Sequence, residues 1–218
     1  FREADIVHLA WVNQGMLSLA DIRKIAACGK PIVWTMHDLW AATAVCHYAR
    51  ECGLYRSGCR NCHLLASATG DLAKRVWARK AKAYGGSKIS FVACSKWLAE
   101  QARGSALIGN CDITDIPNPI DTAVFRPVDK RQARSAMGIS TEKKIILWVS
   151  QKVTDERKGL RYFIEAMNII RDSFPRLADN LAVAILGGNA HEAAKLFKVE
   201  TFPLGYHSDV DKIVSIYN

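Results

Sequence analysis

The sequence predicts an α/β chain of two Rossmann-like domains, each built on a parallel sheet. Short apolar runs of strand length alternate with segments of helical period, which is the pattern of βα units. A proline-rich stretch near the middle breaks this rhythm, which then restarts. Half of the 218 residues are hydrophobic, enough to bury one large core or two small ones.

Asp5 to Trp11 and Pro31 to Met36 read as strands. Ser18 is a candidate N-cap between them, for a helix over Leu19 to Ala27 that stops at Gly29. A long loop is expected from Asp38 to about Thr69, carrying four cysteines. Asp71 to Tyr84 reads as a helix and Ile89 to Ala93 as a strand; Ser95 caps a further helix ending near Gly104, and a short strand runs to Ile116. Ile116-Pro117-Asn118-Pro119-Ile120-Asp121, prolonged by Phe125-Arg126-Pro127, is turn-prone and places a domain boundary, giving domains over 1–118 and 119–218. Beyond it the spacing predicts a helix over Lys130 to Met137, strand Lys144 to Val149, helix Leu160 to Arg171, strand Leu181 to Leu186, helix His191 to Phe197, strand Val199 to Phe202 and helix Ser208 to Tyr217. Both domains read as incomplete, the first lacking opening strands and the second closing ones.

Thirty Lys and Arg against 21 Asp and Glu give a formal charge of +9, which favours anionic partners such as sugar nucleotides, nucleic acid or acidic lipid. The longest apolar runs, Ile145 to Val149 and Leu181 to Leu186, fall far short of the roughly 20 residues of a membrane span. The opening Phe1-Arg2-Glu3-Ala4-Asp5 has no signal-peptide character, and seven cysteines are an odd number, so a reducing cytoplasm is expected.

Three places invite chemistry. The strand Pro31 to Met36 delivers His37-Asp38 at its carboxyl end, where open α/β sheets bind ligands; His37 is read either as a contact to a sugar hydroxyl or as a histidine hydrogen-bonded within a packed loop. The basic loop Gln151 to Gly159 enters a helix. There Arg157 has the donors to grip a phosphate twice and Lys158 supplies a point charge, against the plainer reading of a solvated charged loop. No P-loop or dinucleotide fingerprint is present, and Gly187-Gly188 after the next strand reads as a tight turn. Third, Cys46, Cys52, Cys59 and Cys62 follow C-x5-C-x6-C-x2-C, which suits four-coordinate structural zinc; free thiols, a redox pair and disulfides are the alternatives, and His47 and His63 lie near enough to substitute as ligands.

The ordered set of the opening DIVHLAWVN, Thr35-Met36-His37-Asp38, Ser95-Lys96-Trp97-Leu98, the Ile116 to Asp121 hinge with Phe125-Arg126-Pro127, Arg157-Lys158-Gly159 and Leu204-Gly205-Tyr206 resembles the bacterial members of glycosyltransferase family 4, over nearly the whole chain. The resemblance implies a GT-B fold and a retaining glycosyltransferase of hexosyltransferase type. Its donor would be a nucleotide-diphosphate sugar and its acceptor a glycan or lipid-linked glycan, with no catalytic metal. His37 would face the sugar, Arg157 and Lys158 would bind the diphosphate, and the backbone around Gly205 would lie against the nucleobase. In many relatives the arginine stands several residues before the Lys-Gly, whereas Arg157 adjoins it here, which makes Lys158 the firmer candidate. The family's E-x7-E motif would fall after Asn218, so the chain alone is expected to be inactive.

Two other functions compete. One is a basic zinc-containing nucleic-acid-binding module, disfavoured because the basic residues spread over both halves and the cysteine spacing matches no DNA-reading finger. The other is a sugar-nucleotide epimerase of GT-B fold. Between Asp71 and Glu100 there are seven Lys or Arg and no acid, alongside an apolar stripe of Leu72, Ala73, Val76, Trp77, Ala81 and Tyr84. This is first an amphipathic helix, and second a basic face for peripheral contact with the anionic inner surface of a membrane.

Overall fold

A computed structural model describes residues 3–65, 71–139 and 142–218; the end of the expected long loop, 66–69, and the first two residues lie outside these. The chain divides into two compact units, Phe1–Pro119 and Ile120–Asn218, and the division lies inside the proline-rich stretch. Each unit is a mixed α/β assembly on a parallel sheet. Among the described residues no helix is long and apolar enough to cross a membrane.

In the first unit β1 (Val7–Ala10), α1 (Leu19–Ala26), β2 (Ile32–Met36), α2 (Leu72–Tyr84), β3 (Ile89–Ala93), α3 (Lys96–Arg103) and β4 (Asp112–Asp115) follow in order, and the strands lie side by side as β1-β2-β3-β4. Local chemistry fixes the helix starts. Ser18 Oγ accepts from the Asp21 N–H at 3.2 Å while the Asp21 carboxylate accepts from the Ser18 N–H at 3.1 Å, a reciprocal capping box. Asp71 caps α2 through the Lys74 N–H, and Ser95 caps α3 through the Leu98 N–H.

Every crossover steps the same way across this sheet, so right-handed connections put the three helices on one face. Burial agrees: Ile32, Trp34, Met36, Ile89, Phe91 and Ala93 are buried, whereas the alternate residues Val33, Thr35, Ser90 and Val92 are half-exposed. Trp34 centres the core, stacked on Phe91 at 5.7 Å and meeting Tyr84 edge-on at 5.6 Å. The Tyr84 hydroxyl is buried there and has no hydrogen-bond partner among the described residues. Tyr84→Phe keeps the ring contacts and removes an unsatisfied hydroxyl, so it is expected to stabilise the protein by about 1 kcal/mol, read as a raised midpoint of thermal unfolding.

The inward stripe of α2 differs from the expected one. Ala73, Lys80, Ala83 and Tyr84 are buried and Ala81 is exposed. Lys80 therefore points into the unit, and the outward basic face is made by its neighbours Lys74, Arg79 and Lys82.

The second unit contains α4 (Lys130–Ala136), β5 (Lys144–Lys152), α5 (Leu160–Ser173), the single turn α6 (Pro175–Ala178), β6 (Leu181–Gly188), α7 (Ala190–Ala194), β7 (Glu200–Gly205) and α8 (Val210–Tyr217). Its sheet order is β5-β6-β7. Leu181 to Gly187 of central β6 are buried without alternation, as befits a parallel strand covered on both faces. Trp148 of β5 stacks on Phe163 of α5 at 5.3 Å and 9°. The extra turn α6 begins at Pro175, whose fixed φ suits a first helical position. α7 stops at Ala194, short of the expected Phe197, and Phe197 packs into the core instead.

Candidate functional site

Parallel strands send all their carboxyl ends to one edge of a sheet, so each unit has one edge at which loops converge. In the first unit β1 leads to Trp11 and Asn13, and β2 leads to His37 and Asp38. These line a shared pocket with Thr35 and Trp40. His37 is exposed and has no hydrogen-bond partner among the described residues. Trp11 holds a left-handed φ of 49°, uncommon for a bulky residue, and presents its ring to solvent.

Asp38 does not act with His37. Its carboxylate, 8% exposed, accepts from the Trp40 N–H at 2.8 Å and from His47 Nδ1 at 2.6 Å. A carboxylate can only accept, so His47 Nδ1 carries the proton of this bond. Asn13 Nδ2 stands 3.3 Å from the same Nδ1, and the Trp11 ring lies 5.5 Å from the His47 ring. His47 and Asn13 are the site residues that sequence reasoning missed. The sequence offered His47 only as a spare metal ligand, because nothing local pairs it with a carboxylate nine positions earlier.

The loop between them is held from inside. The Leu39 N–H donates to the His47 carbonyl at 2.9 Å, and Ser105 Oγ donates to the Ala42 carbonyl at 2.7 Å. Lys80, fully buried, donates from Nζ to the carbonyls of Trp40 at 2.5 Å and Thr43 at 3.0 Å, with the ammonium 3.4 Å from the Trp40 ring centre. Burial pulls its pKa down to about 7, against the upward influence of Cys46, Cys59 and Asp38.

Behind this loop Cys46, Cys52, Cys59 and Cys62 line one pocket, with His63 and Tyr55 beside them. All four thiols are free and half-buried. Burial is the main influence raising the Cys46 and Cys59 thiols, and negative charge on the neighbouring cysteines would raise them further. Among the described residues, no three His, Cys, Asp or Glu side chains already stand at metal-holding spacing.

In the second unit the carboxyl edge gathers the Gln151 to Gly159 loop, Gly187-Gly188 and Gly205; Gly187-Gly188 are the last two residues of β6 and not the expected tight turn, because Gly188 still pairs with Lys152 of β5. Gly159 takes a left-handed φ of 78° and opens the 14-residue α5. Lys158 is exposed there, while Arg157 folds back onto its own loop: Nε lies 3.0 Å and Nη2 2.5 Å from the Asp155 carboxylate. The guanidinium holds the Asp155 carboxyl at about 2. The donors expected to grip a phosphate are thus engaged two residues away, and Lys158 is presented outward, as is Lys152 at the end of β5. Gly205 has a φ of 74° at the end of β7.

No protein-family model matches this chain, and no curated protein matches it in sequence.

Proposed function

We propose that this chain is part of a retaining glycosyltransferase of GT-B architecture. The second unit binds the diphosphate of a nucleotide-sugar donor, and the first faces a glycan or lipid-linked acceptor. The observation that carries this reading is the convergence of an exposed Lys158, the left-handed Gly159 at the start of α5, the Gly187-Gly188 end of β6 and Gly205 on one edge of a parallel sheet. Free N–H groups at a long helix start and a lysine beside them suit a diphosphate, and the same contacts would stabilise the leaving diphosphate as the bond to the sugar breaks. In this reading the exposed His37, with the Trp11 ring nearby, contacts sugar hydroxyls on the first unit. The likeness to glycosyltransferase family 4 supports the same assignment.

Titration calorimetry with UDP, GDP and ADP tests it. One nucleotide should bind, and Lys158→Ala should weaken it by about 1.5–3 kcal/mol, roughly 10- to 100-fold. Arg157→Ala should change it less, because Asp155 already holds that side chain. Equal affinity in wild type and Lys158→Ala, or no binding of any nucleotide, would reject the site. Salt-sensitive binding of duplex DNA with no nucleotide effect would mark a nucleic-acid module instead.

A further inference from the structure

We propose that Cys46, Cys52, Cys59 and Cys62 bind one zinc ion as four thiolates, and that this ion locks His47 onto Asp38. The proposal is independent of the reaction assigned above.

Four observations carry it. First, the fold gathers thiols spread over seventeen residues into one pocket whose other walls are largely apolar, including Ala44, Val45, Leu54 and Ala73. Tyr55, Arg60 and His63 are the other polar side chains of the lining, and a soft divalent cation held by all four sulfurs solvates thiolates more directly than these do. Second, the backbone turns into the left-handed region just before three of the cysteines: at Arg50 (φ 51°) ahead of Cys52, at Gly58 (φ 120°) ahead of Cys59, and at Asn61 (φ 45°) ahead of Cys62. Asn61 is a residue type that tolerates this region, and its N–H donates to Asp71 at 3.1 Å, whereas for Arg50 the conformation is strained, and strain of this kind persists where the surroundings impose it.

Third, the segment from Cys46 to Cys62 has little else to hold it. Its regular structure is one turn, Leu54–Arg56, and outside its His47 end it is anchored by the buried Tyr55 and Ala49, by Tyr55 and Arg56 donating to Gln101 at 2.7 and 3.2 Å, by the Ala106 N–H donating to the Tyr55 carbonyl at 3.1 Å, and by the Asn61 N–H donating to Asp71 at 3.1 Å. A loop this long inside a compact unit calls for a cross-link. Fourth, the charges balance toward a cation site. Binding releases four thiol protons to solvent and leaves a complex of charge −2, and the buried Lys80 ammonium, which interacts electrostatically with Cys46 and Cys59, supplies a neighbouring positive charge. The sulfurs are not yet at ligand spacing, so the four side chains turn inward to reach Zn–S distances of about 2.3 Å.

The consequence for the site runs through one peptide bond. Cys46 precedes His47, and the Thr43 hydroxyl donates to the Cys46 carbonyl at 2.6 Å. An ion holding Cys46 therefore fixes the backbone from which His47 reaches Asp38. Four thiolates leave no open position for water or substrate, which makes the ion a positioning element.

The test is elemental analysis of the whole chain purified without added metal, followed by chelation. About one zinc per chain is expected, falling close to zero in Cys59→Ser/Cys62→Ser. In case that variant does not fold, X-ray absorption on the wild type should find four sulfur neighbours, and its cobalt(II) form should show the spectrum of a tetrahedral tetrathiolate. Nitrogen NMR of the His47 ring should report the Nδ1-protonated tautomer when loaded and averaging of the two tautomers after chelation. A zinc-free protein with four alkylatable thiols, iron and sulfide in place of zinc, or full zinc content in a folded double-serine variant would each overturn the metal assignment. Unchanged His47 signals on chelation would overturn its positioning role.

Discussion

Gly187→Ala is expected to destabilise the second unit by about 3–5 kcal/mol, combining overpacking against backbone with strain at positive φ. Gly187 sits near the carboxyl end of β6 at φ 137°, and a Cβ there would lie 1.7 Å from the Ser150 carbonyl oxygen and 3.1 Å from Val153 Cγ2. The nearer obstacle is backbone, with the Ser150 carbonyl carbon also at 2.9 Å, and cannot turn aside as the tip of a side chain could. Relieving the clash means parting β5 from β6 where the pairing register already shifts, beneath the loop that presents Lys158. Gly205→Ala is the control: its φ of 74° is also left-handed, but a Cβ there meets nothing within 4 Å, so only about 1–2 kcal/mol of backbone strain is expected. Urea denaturation of the two variants separates the effects. Equal, small losses in both would show that β5 and β6 do not approach this closely.

The second large effect concerns Lys80 and pH. An unfolded lysine keeps its proton to about pH 10.4. The folded pKa of about 7 means that above pH 7 the unfolded chain binds one proton more than the folded one. Stability must then rise with pH, by up to about 1.4 kcal/mol per unit. From pH 7 to about 8.5 this gives roughly 2 kcal/mol. At higher pH the Cys111 thiol and, in the metal-free chain, the Cys46 and Cys59 thiols, all raised by burial, keep protons that the unfolded chain loses, and they pull the other way. Lys80→Met should abolish the rise between pH 7 and 8.5. It should also loosen the Asp38–His47 loop, since the Trp40 and Thr43 carbonyls lose their donor. Parallel stability profiles for wild type and variant over that range would show that Lys80 is not buried as a titrating group.

Much of this fold could be read locally. The bounds of β3, the caps Ser18, Asp71 and Ser95 and the alternating burial of β2 depend on residues within four or five positions, where periodicity and capping act. The gathering of the carboxyl-edge loops also followed, because parallel pairing sends His37 to one edge of its sheet and Lys158 and Gly205 to one edge of theirs. The engagement of Arg157 was within reach as well, through an aspartate two residues before it.

What the tertiary structure decided were the pairings made across loops. Asp38 found His47 rather than its neighbour His37, because the chain from Leu39 to His47 closes on itself and brings one imidazole, and not the other, to the carboxylate. Lys80 lies on the inward stripe of α2 at the spacing set by Ala73, Trp77 and Tyr84. Its charge argued for the surface, and carbonyls some forty residues earlier in sequence, together with the Trp40 ring, made burial tolerable. The sequence determined the strands, the helices and the edges where chemistry would collect. Which side chains meet there was settled by loop closure and by the burial of polar groups, which depend on partners that no short window of sequence contains.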